Sequence, residues 1–519
     1  MSLGLPAARD KQVALSLGDS LDRGGTPLPP GRRRIAFTGV GVAIGLVLFA
    51  IVWLSVLALT SRSPPVDNIE QLTWVRSLEW GYYKHPPLPT WLIWLPVKLF
   101  GLSAWTSYGT GAAMTLGALA IMWRLLVDLR GAAYAGLALL AALCITYYNG
   151  RLNYYNHNVV LMFIATASAA LCWRAFATRQ LRWWIALGFA IGLGLLSKYQ
   201  IAVTVASVLA FAVHQRAWRD PEHRVGLLCA TLLALLMFTP HIEWLRGHDF
   251  GPIEYAEATS IGKSLEALAR LKNSLGWLVD QLLNRGLPAF ALLGAAALTL
   301  RKLNRVTPAQ QMPEASPRRD PAKALIYAWG VLPWCFMLLV GVATGAELPL
   351  HWGTPFLLFV VPAVMELKPR RFWDRADLSR VLCAFLIIQA LIISREFVTS
   401  ANGISALASN HWRDFNSQEF EQSLAEAART KLRGPVRIVI GKKQLAQTLA
   451  LQLPERPLVL IDGRFDISPW LDRDAVARCG AVELGPTATL QGGVPVGPVL
   501  PGISWRVLMP REGAAPCSL

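Results

Sequence analysis

Charge is scarce in this 519-residue chain: Asp, Glu, Lys and Arg together make up 16% of it, against 54% hydrophobic residues and a mean hydropathy of +0.39. Soluble globular proteins carry about a quarter charged residues, so a water-soluble enzyme is excluded. The ten-residue alternating segments of a transmembrane barrel are absent too. No CxxC pair occurs among the seven cysteines. No HExxH, Walker A or GxGxxG-before-helix motif supports zinc hydrolysis, nucleotide or dinucleotide chemistry. The first 30 or so residues, with Gly-Gly-Thr-Pro-Leu-Pro-Pro-Gly, lack the apolar core of a cleavable signal peptide. Residues 1–34 read as a disordered cytoplasmic tail and Ile35–Thr60 as a retained spanning anchor.

What is plentiful is apolar sequence in blocks. Spanning helices are expected at about 35–60, 104–127, 133–149, 156–178, 183–197, 199–214, 225–243, 276–300, 323–343, 353–366 and 379–396, roughly eleven in all. Pro86–Gly101 is apolar, but Pro86, Pro87, Pro89 and Pro96 interrupt it, so a re-entrant or interfacial element fits better. Twenty Trp and eleven Tyr suit many helix ends at a membrane interface. The fold class is thus an all-α polytopic membrane protein, with residues 35–399 as the membrane domain.

The net charge of +17 distributes over alternate loops. With Arg32–Arg34 cytoplasmic, the basic loops at Arg124/Arg130, Arg174–Arg182, Arg216–Arg224, Arg301–Lys323 and Lys368–Arg380 fall on the same side. That is the positive-inside pattern of a multi-pass inner-membrane protein, not a nucleic-acid surface. Counting Pro86–Gly101 as a full span would break it. The loops 61–85, 149–155, around Lys198, 244–275 and 344–352 then lie outside, as does everything after about 397. Within 400–519, Val436–Gly441, Lys443–Leu453 and Pro457–Gly463 read as strand, helix, strand, predicting a small soluble periplasmic α/β domain. Cys144, Cys172, Cys229, Cys335 and Cys383 lie in apolar stretches as small core residues, while Cys479 and Cys517 can pair if their segment is extracytoplasmic.

Candidate chemistry gathers in the first outer loop. A helix from Asp67 would place Asp67 and Glu70 on one face beside the membrane, with Lys84 and His85 following. Carboxylates there can act as general bases or hold a cation, and a divalent metal ion on Asp67, Glu70 and His85 is compatible with the residue types. The structural alternative is a helix cap and a solvated loop.

The segment Trp80-Gly-Tyr-Tyr-Lys84-His85-Pro-Pro-Leu88, with Asp67 before it, resembles the first periplasmic loop of glycosyltransferase family 39, which includes relatives of protein O-mannosyltransferases and lipid A aminoarabinose transferase. Asn153-Tyr-Tyr-Asn156-His-Asn158, Leu193-Gly-Leu-Leu-Ser-Lys198-Tyr199, Arg246-Gly-His248-Asp249-Phe250 and His351-Trp352 follow in the expected order. The resemblance covers about 35–400. It implies a GT-C membrane transferase that moves a sugar from a polyprenyl-phosphate donor to a lipid, glycan or protein acceptor on the outer face, inverting the anomeric centre. It also implies Asp67 as base. The family's loop reads Asp-Glu there, whereas Asn68 follows Asp67 here and the nearest acid is Glu70; a later acidic position appears as Asn156-His157-Asn158.

Lys84, His85 and Lys198 are the candidates for the donor phosphate, since fixed cations stabilise a leaving phosphate as its charge grows. Lys198 could equally snorkel. Asn153, Asn156, Asn158, His248, Asp249, Glu347, His351 and Trp352 are candidates for substrate contacts, against capping, a solvated turn and an interface anchor. The rival class is a transporter or flippase. Transport sites favour the bilayer midplane and repeated architecture, and here the polar candidates gather at the outer ends of nearly charge-free spans.

Overall fold

The computed structural model describes residues 38–258, 266–300, 320–404, 411–513 and 515–519. The expected tail at 1–34 and most of the Arg301–Lys323 loop lie outside these. Six helices are long and apolar enough to cross a membrane: Gly39–Thr60, Ala104–Arg130, His157–Thr178, Pro221–Gly247, Pro321–Thr344 and Leu378–Val398. Their large apolar side chains split between inward packing and outward exposure; Trp53 and Leu57 are buried while Val47 and Ile51 are exposed. Outward apolar faces are what a lipid-bathed bundle requires. Shorter apolar helices sit among them at Leu88–Phe100, Ala132–Leu143, Leu181–Leu195, Tyr199–His214 and Thr354–Met365.

Local sequence explains the boundaries near the site. The first span (α1, Gly39–Thr60) is capped by the Thr38 hydroxyl, which accepts from the Gly41 amide at 3.1 Å. It stops at Ser61, three residues before the pair Pro64-Pro65. A short helix (α2, Val66–Trp74) then starts with Asp67 in its first turn, where the helix dipole favours an acid. The apolar stretch after the loop is a 13-residue helix (α3, Leu88–Phe100) with Pro96 inside it, too short to cross a bilayer unaided, as a re-entrant or interfacial element would be. The span His157–Thr178 (α4) is capped by Asn156, whose carbonyl oxygen accepts from the amides of Asn158 and Val159. Gly111, on the helix Ala104–Arg130, has no room for a side chain, because a Cβ there would lie 2.2 Å from the Tyr154 carbonyl; the absence of one lets the 153–155 turn sit down on the bundle.

Three expected spans are broken. The 133–149 block stops at Leu143 and restarts as Thr146–Gly150 after an extended Ile145. In 276–300 the helix passes through a π segment, Gln281–Gly286. Pro288 has no N–H for the Asn284 carbonyl, which accepts from the Thr146 hydroxyl instead, at 3.1 Å. The 353–366 block is a 3-10 stretch, Thr354–Phe359, followed by Val360–Met365, with Pro355 and Pro362 in its course.

The C-terminal sheet has five strands, β1 (Ile438–Gly441), β2 (Leu458–Ile461), β3 (Ala481–Pro486), β4 (Val494–Pro495) and β5 (Ile503–Leu508), in the order β2-β1-β3-β5-β4. β1 is parallel to β2 and β3, and helix α5 (Lys443–Gln452) links β1 to β2, as the strand-helix-strand reading anticipates. Cys479 and Cys517 are disulfide-bonded.

The sheet region packs on the membrane helices within one compact body, Phe37–Leu519. The stretch 411–417 runs along 62–64. The Arg62 amide donates to the Arg413 carbonyl at 2.6 Å, the Trp412 indole to the Pro64 carbonyl at 3.0 Å, and the Ser63 and Ser417 hydroxyls to the carbonyls of Phe415 and Arg62. Helix α5 packs along α2, and Arg76, just past its end, donates to the Arg456 carbonyl at 2.8 Å.

Candidate active site

Asp67 stands in the first turn of α2, half-buried, and its Oδ2 accepts from the Asn156 side-chain amide at 2.9 Å. Asn156 therefore does two jobs with one side chain: its oxygen caps α4 and its nitrogen holds the carboxylate. Burial would raise the Asp67 carboxyl, but Lys84, the Asn156 hydrogen bond and His351 outweigh it and hold the group below the usual carboxylate range.

One turn on, Glu70 is buried and paired with Lys84, whose Nζ lies 2.9 and 3.2 Å from the two carboxylate oxygens. The Tyr83 hydroxyl donates to the same carboxylate at 3.3 Å. Burial works against the Lys84 charge, yet Glu70 and then Asp67 override it and keep the ammonium protonated well above its ordinary range. Removing one partner of a pair this buried typically costs about 3–5 kcal/mol.

Lys198 follows the helix Leu181–Leu195 in extended backbone and is only 9% exposed. Its Nζ donates to Asn158 Oδ1 at 2.7 Å and lies 5.3 Å from the centre of the Trp352 ring. Among the described residues no carboxylate lies within ion-pair distance of it. Burial lowers its pKa to about 7, with Asp67 pulling upward and Lys84 downward. The His85 ring stacks obliquely on that of His157, centroids 4.0 Å apart, and burial, His157 and Lys84 keep His85 neutral. His351 faces solvent at the rim, but the protein around it and then Lys198 bring it down to about 4.

The arrangement is a carboxylate kept ionised beside two lysines and two neutral imidazoles. Such a set can take a proton from a hydroxyl and hold an anion close by. It is no evident metal centre: among the described residues no three His, Cys, Asp or Glu side chains group to hold an ion, and Glu70 is committed to Lys84 and Tyr83.

Residues 84–244 match the family model described as dolichyl-phosphate-mannose-protein mannosyltransferase. Two curated relatives from Rhizobium johnstonii, the lipopolysaccharide core galacturonosyltransferases RgtB and RgtA, are each 23% identical over 80% of this chain and 82% of their own length. Among solved structures, ArnT from Cupriavidus metallidurans bound to undecaprenyl phosphate superposes with a TM-score of 0.57 at 14% identity, covering 87% of this chain and 94% of that one. Its apo form gives 0.58 at 13% identity, covering 90% and 98%. The chain is a glycosyltransferase that resembles the GT-C enzymes of family-39 type. It is an integral inner-membrane protein, as the resemblance implies.

The transferase gathers Asp67, Glu70, Lys84, His85, Asn156, Asn158, Lys198, His351 and Trp352 into one region. The other candidates stand differently. Asn153 is buried, with its backbone carbonyl accepting from Asn68 at 2.8 Å. His248 stacks on Trp244, centroids 4.1 Å apart, and Asp249 takes a left-handed turn at φ +49°; both are solvent-exposed, as the turn reading has it. Glu347 is solvent-exposed.

Some participants escaped the sequence reading. Asn68, where the family has Glu, is buried and ties α2 to Ser107, the Asn153 carbonyl and the Tyr155 amide. Tyr255 lies 5.6 Å from Lys84, ring centre to Nζ, and 6.5 Å from His85, centroid to centroid. Asn68 carried a signal, since an amide directly after the candidate base replaces the usual acid. Tyr255 carried none.

Proposed function

We propose that this transferase moves a sugar from a polyprenyl-phosphate carrier to an acceptor hydroxyl at the periplasmic face, inverting the anomeric centre, with Asp67 as general base. The observation that carries the proposal is the Asp67 carboxylate held ionised by Asn156 and Lys84 within electrostatic reach of Lys198. The ArnT structure with undecaprenyl phosphate, on the same fold, supports the donor class. The names of RgtA and RgtB point to a lipopolysaccharide-class acceptor.

In this reaction the acceptor O–H gives its proton to a free oxygen of Asp67 as the hydroxyl oxygen bonds to the anomeric carbon. On the opposite face the bond from that carbon to the phosphate oxygen breaks, and its electron pair leaves with the lipid phosphate. Lys84 and Lys198 stabilise the charge that develops there, more in the transition state than before it. Glu70 acts through Lys84, fixing its ammonium, and Asn158 does the same for Lys198. His85, His351 and Trp352 line the donor side.

The proposal includes about eleven crossings, a cytoplasmic N-terminus, a membrane domain at 35–399 and a periplasmic domain at 400–519. Positive-inside charge supports this orientation. So does the Cys479–Cys517 disulfide, which suits an oxidising compartment. The test is mass spectrometry of lipopolysaccharide and lipid-linked glycans from cells carrying wild type or Asp67→Asn at equal membrane abundance. Loss of one glycan modification with build-up of the lipid-linked sugar is the expected result; unchanged glycans with Asp67→Asn would remove Asp67 as the base.

A further inference from the structure

One cation beside this cluster comes from the sheet region. Lys443 opens α5 directly after β1, half-buried, with its Nζ 5.8 Å from the centre of the Tyr255 ring. Lys84 approaches the same ring to 5.6 Å. Two ammonium groups thus share one aromatic neighbour. Lys84 is balanced by Glu70, whereas among the described residues no carboxylate lies within ion-pair distance of Lys443. Burial and then Lys84 loosen the hold of Lys443 on its proton; Glu70, Asp462 and Asp67 act in the opposite sense from longer range.

The position of Lys443 is fixed from several sides. Helix α5 lies along α2, which carries Asp67 and Glu70. The Tyr83 ring packs against the apolar core of the sheet region, next in sequence to Lys84. A lysine on a flexible stem normally turns to water. This one stays near the ring that Lys84 also approaches, and an anion bound beside that ring would meet both ammonium groups. A phosphate monoester has the charge and the acceptor oxygens for that place. The first turn of α5 adds its own partial positive charge.

We propose that Lys443 binds the anionic headgroup of the lipid-linked donor together with Lys84, so that the sheet region supplies part of the donor site. The inference rests on the donor reading above. It assigns the C-terminal region a direct part in substrate binding.

The test measures binding of undecaprenyl phosphate and of uncharged undecaprenol to the detergent-solubilised full chain, for wild type, Lys443→Gln and Lys443→Arg. Lys443→Gln is expected to bind undecaprenyl phosphate about tenfold more weakly, with undecaprenol binding unchanged and Lys443→Arg close to wild type. Equal binding of undecaprenyl phosphate by wild type and Lys443→Gln overturns the role of Lys443 and leaves the donor reading intact. An equal loss for both lipids overturns it as well, because a general structural effect then explains the change. Should the wild type itself fail to prefer the phosphate over the alcohol, the donor reading falls and Lys443 with it.

Discussion

Arg130, at the C-terminal end of the helix Ala104–Arg130, places its guanidinium on Glu366 at 2.7 Å and on Asp320 at 2.6 Å, and the Tyr134 hydroxyl donates to Glu366 as well. Near the other end of that helix, roughly 35 Å away at 1.5 Å per residue, Ser107 meets Asn68 of α2 beside the Asp67 cluster. There the carboxylate of Asp67 is held by an amide and Lys198 has an amide and a ring for company. Every charge in the first group has an opposite charge in contact. In the second, the charges are brought close and left incompletely matched. A closed network stabilises the resting fold, whereas an open one keeps part of its electrostatic energy for a ligand.

Substitutions at the two ends should therefore read out in different quantities. The largest effect is expected at Asp67: Asp67→Asn should lower transfer by about 10²–10⁴, the usual contribution of a positioned base, with thermal stability unchanged or raised. Next comes Lys198. Its ammonium, depressed to about 7 by burial, is charged below that pH and loses its proton as the pH rises through it. The kcat/KM for the lipid-linked donor should fall on the alkaline side of about pH 7, and Lys198→Gln should be slower and lack that limb. A pH profile of Lys198→Gln that keeps the limb would assign it elsewhere. At the paired end, Arg130→Met should leave two carboxylates without their cation and lower stability by about 3 kcal/mol, read by thermal unfolding in detergent, while transfer per folded molecule stays near wild type. If Arg130→Met lowers turnover specifically, the contrast between the ends fails. The smallest effect on transfer is expected from Cys517→Ser. The bridge spans a sequence separation of 38, for which loop closure contributes about 4 kcal/mol in the chain-entropy account, so the loss should appear as easier unfolding of the sheet region.

Much of this was legible in the sequence because it is local. The start of α2 beside Asp67, the cap at Asn156, and the spans outside the interrupted stretches follow from short-range rules of capping and apolar length. The strand-helix-strand run around Lys443 is of the same kind. The parts that were not legible depend on partners distant in sequence. Glu70 looked like a second catalytic acid by spacing alone, and its pairing with Lys84 appears only when the loop folds back. In the π segment at Gln281–Gly286, the carbonyl of Asn284 finds its partner in the Thr146 hydroxyl, far away in sequence. No periodicity in the tail announces that Lys443 faces Tyr255.

The seam between 62–64 and 411–417 makes the loop after the first span and the C-terminal region a single fitted pair. Exchanging either one alone with a relative would put two surfaces together that never co-evolved, and the misfit would fall within three residues of Asp67. Hybrid enzymes built to alter sugar or acceptor choice should therefore carry both pieces from one parent, with the junctions placed inside the spans, where a helix can be joined to a helix without disturbing the seam.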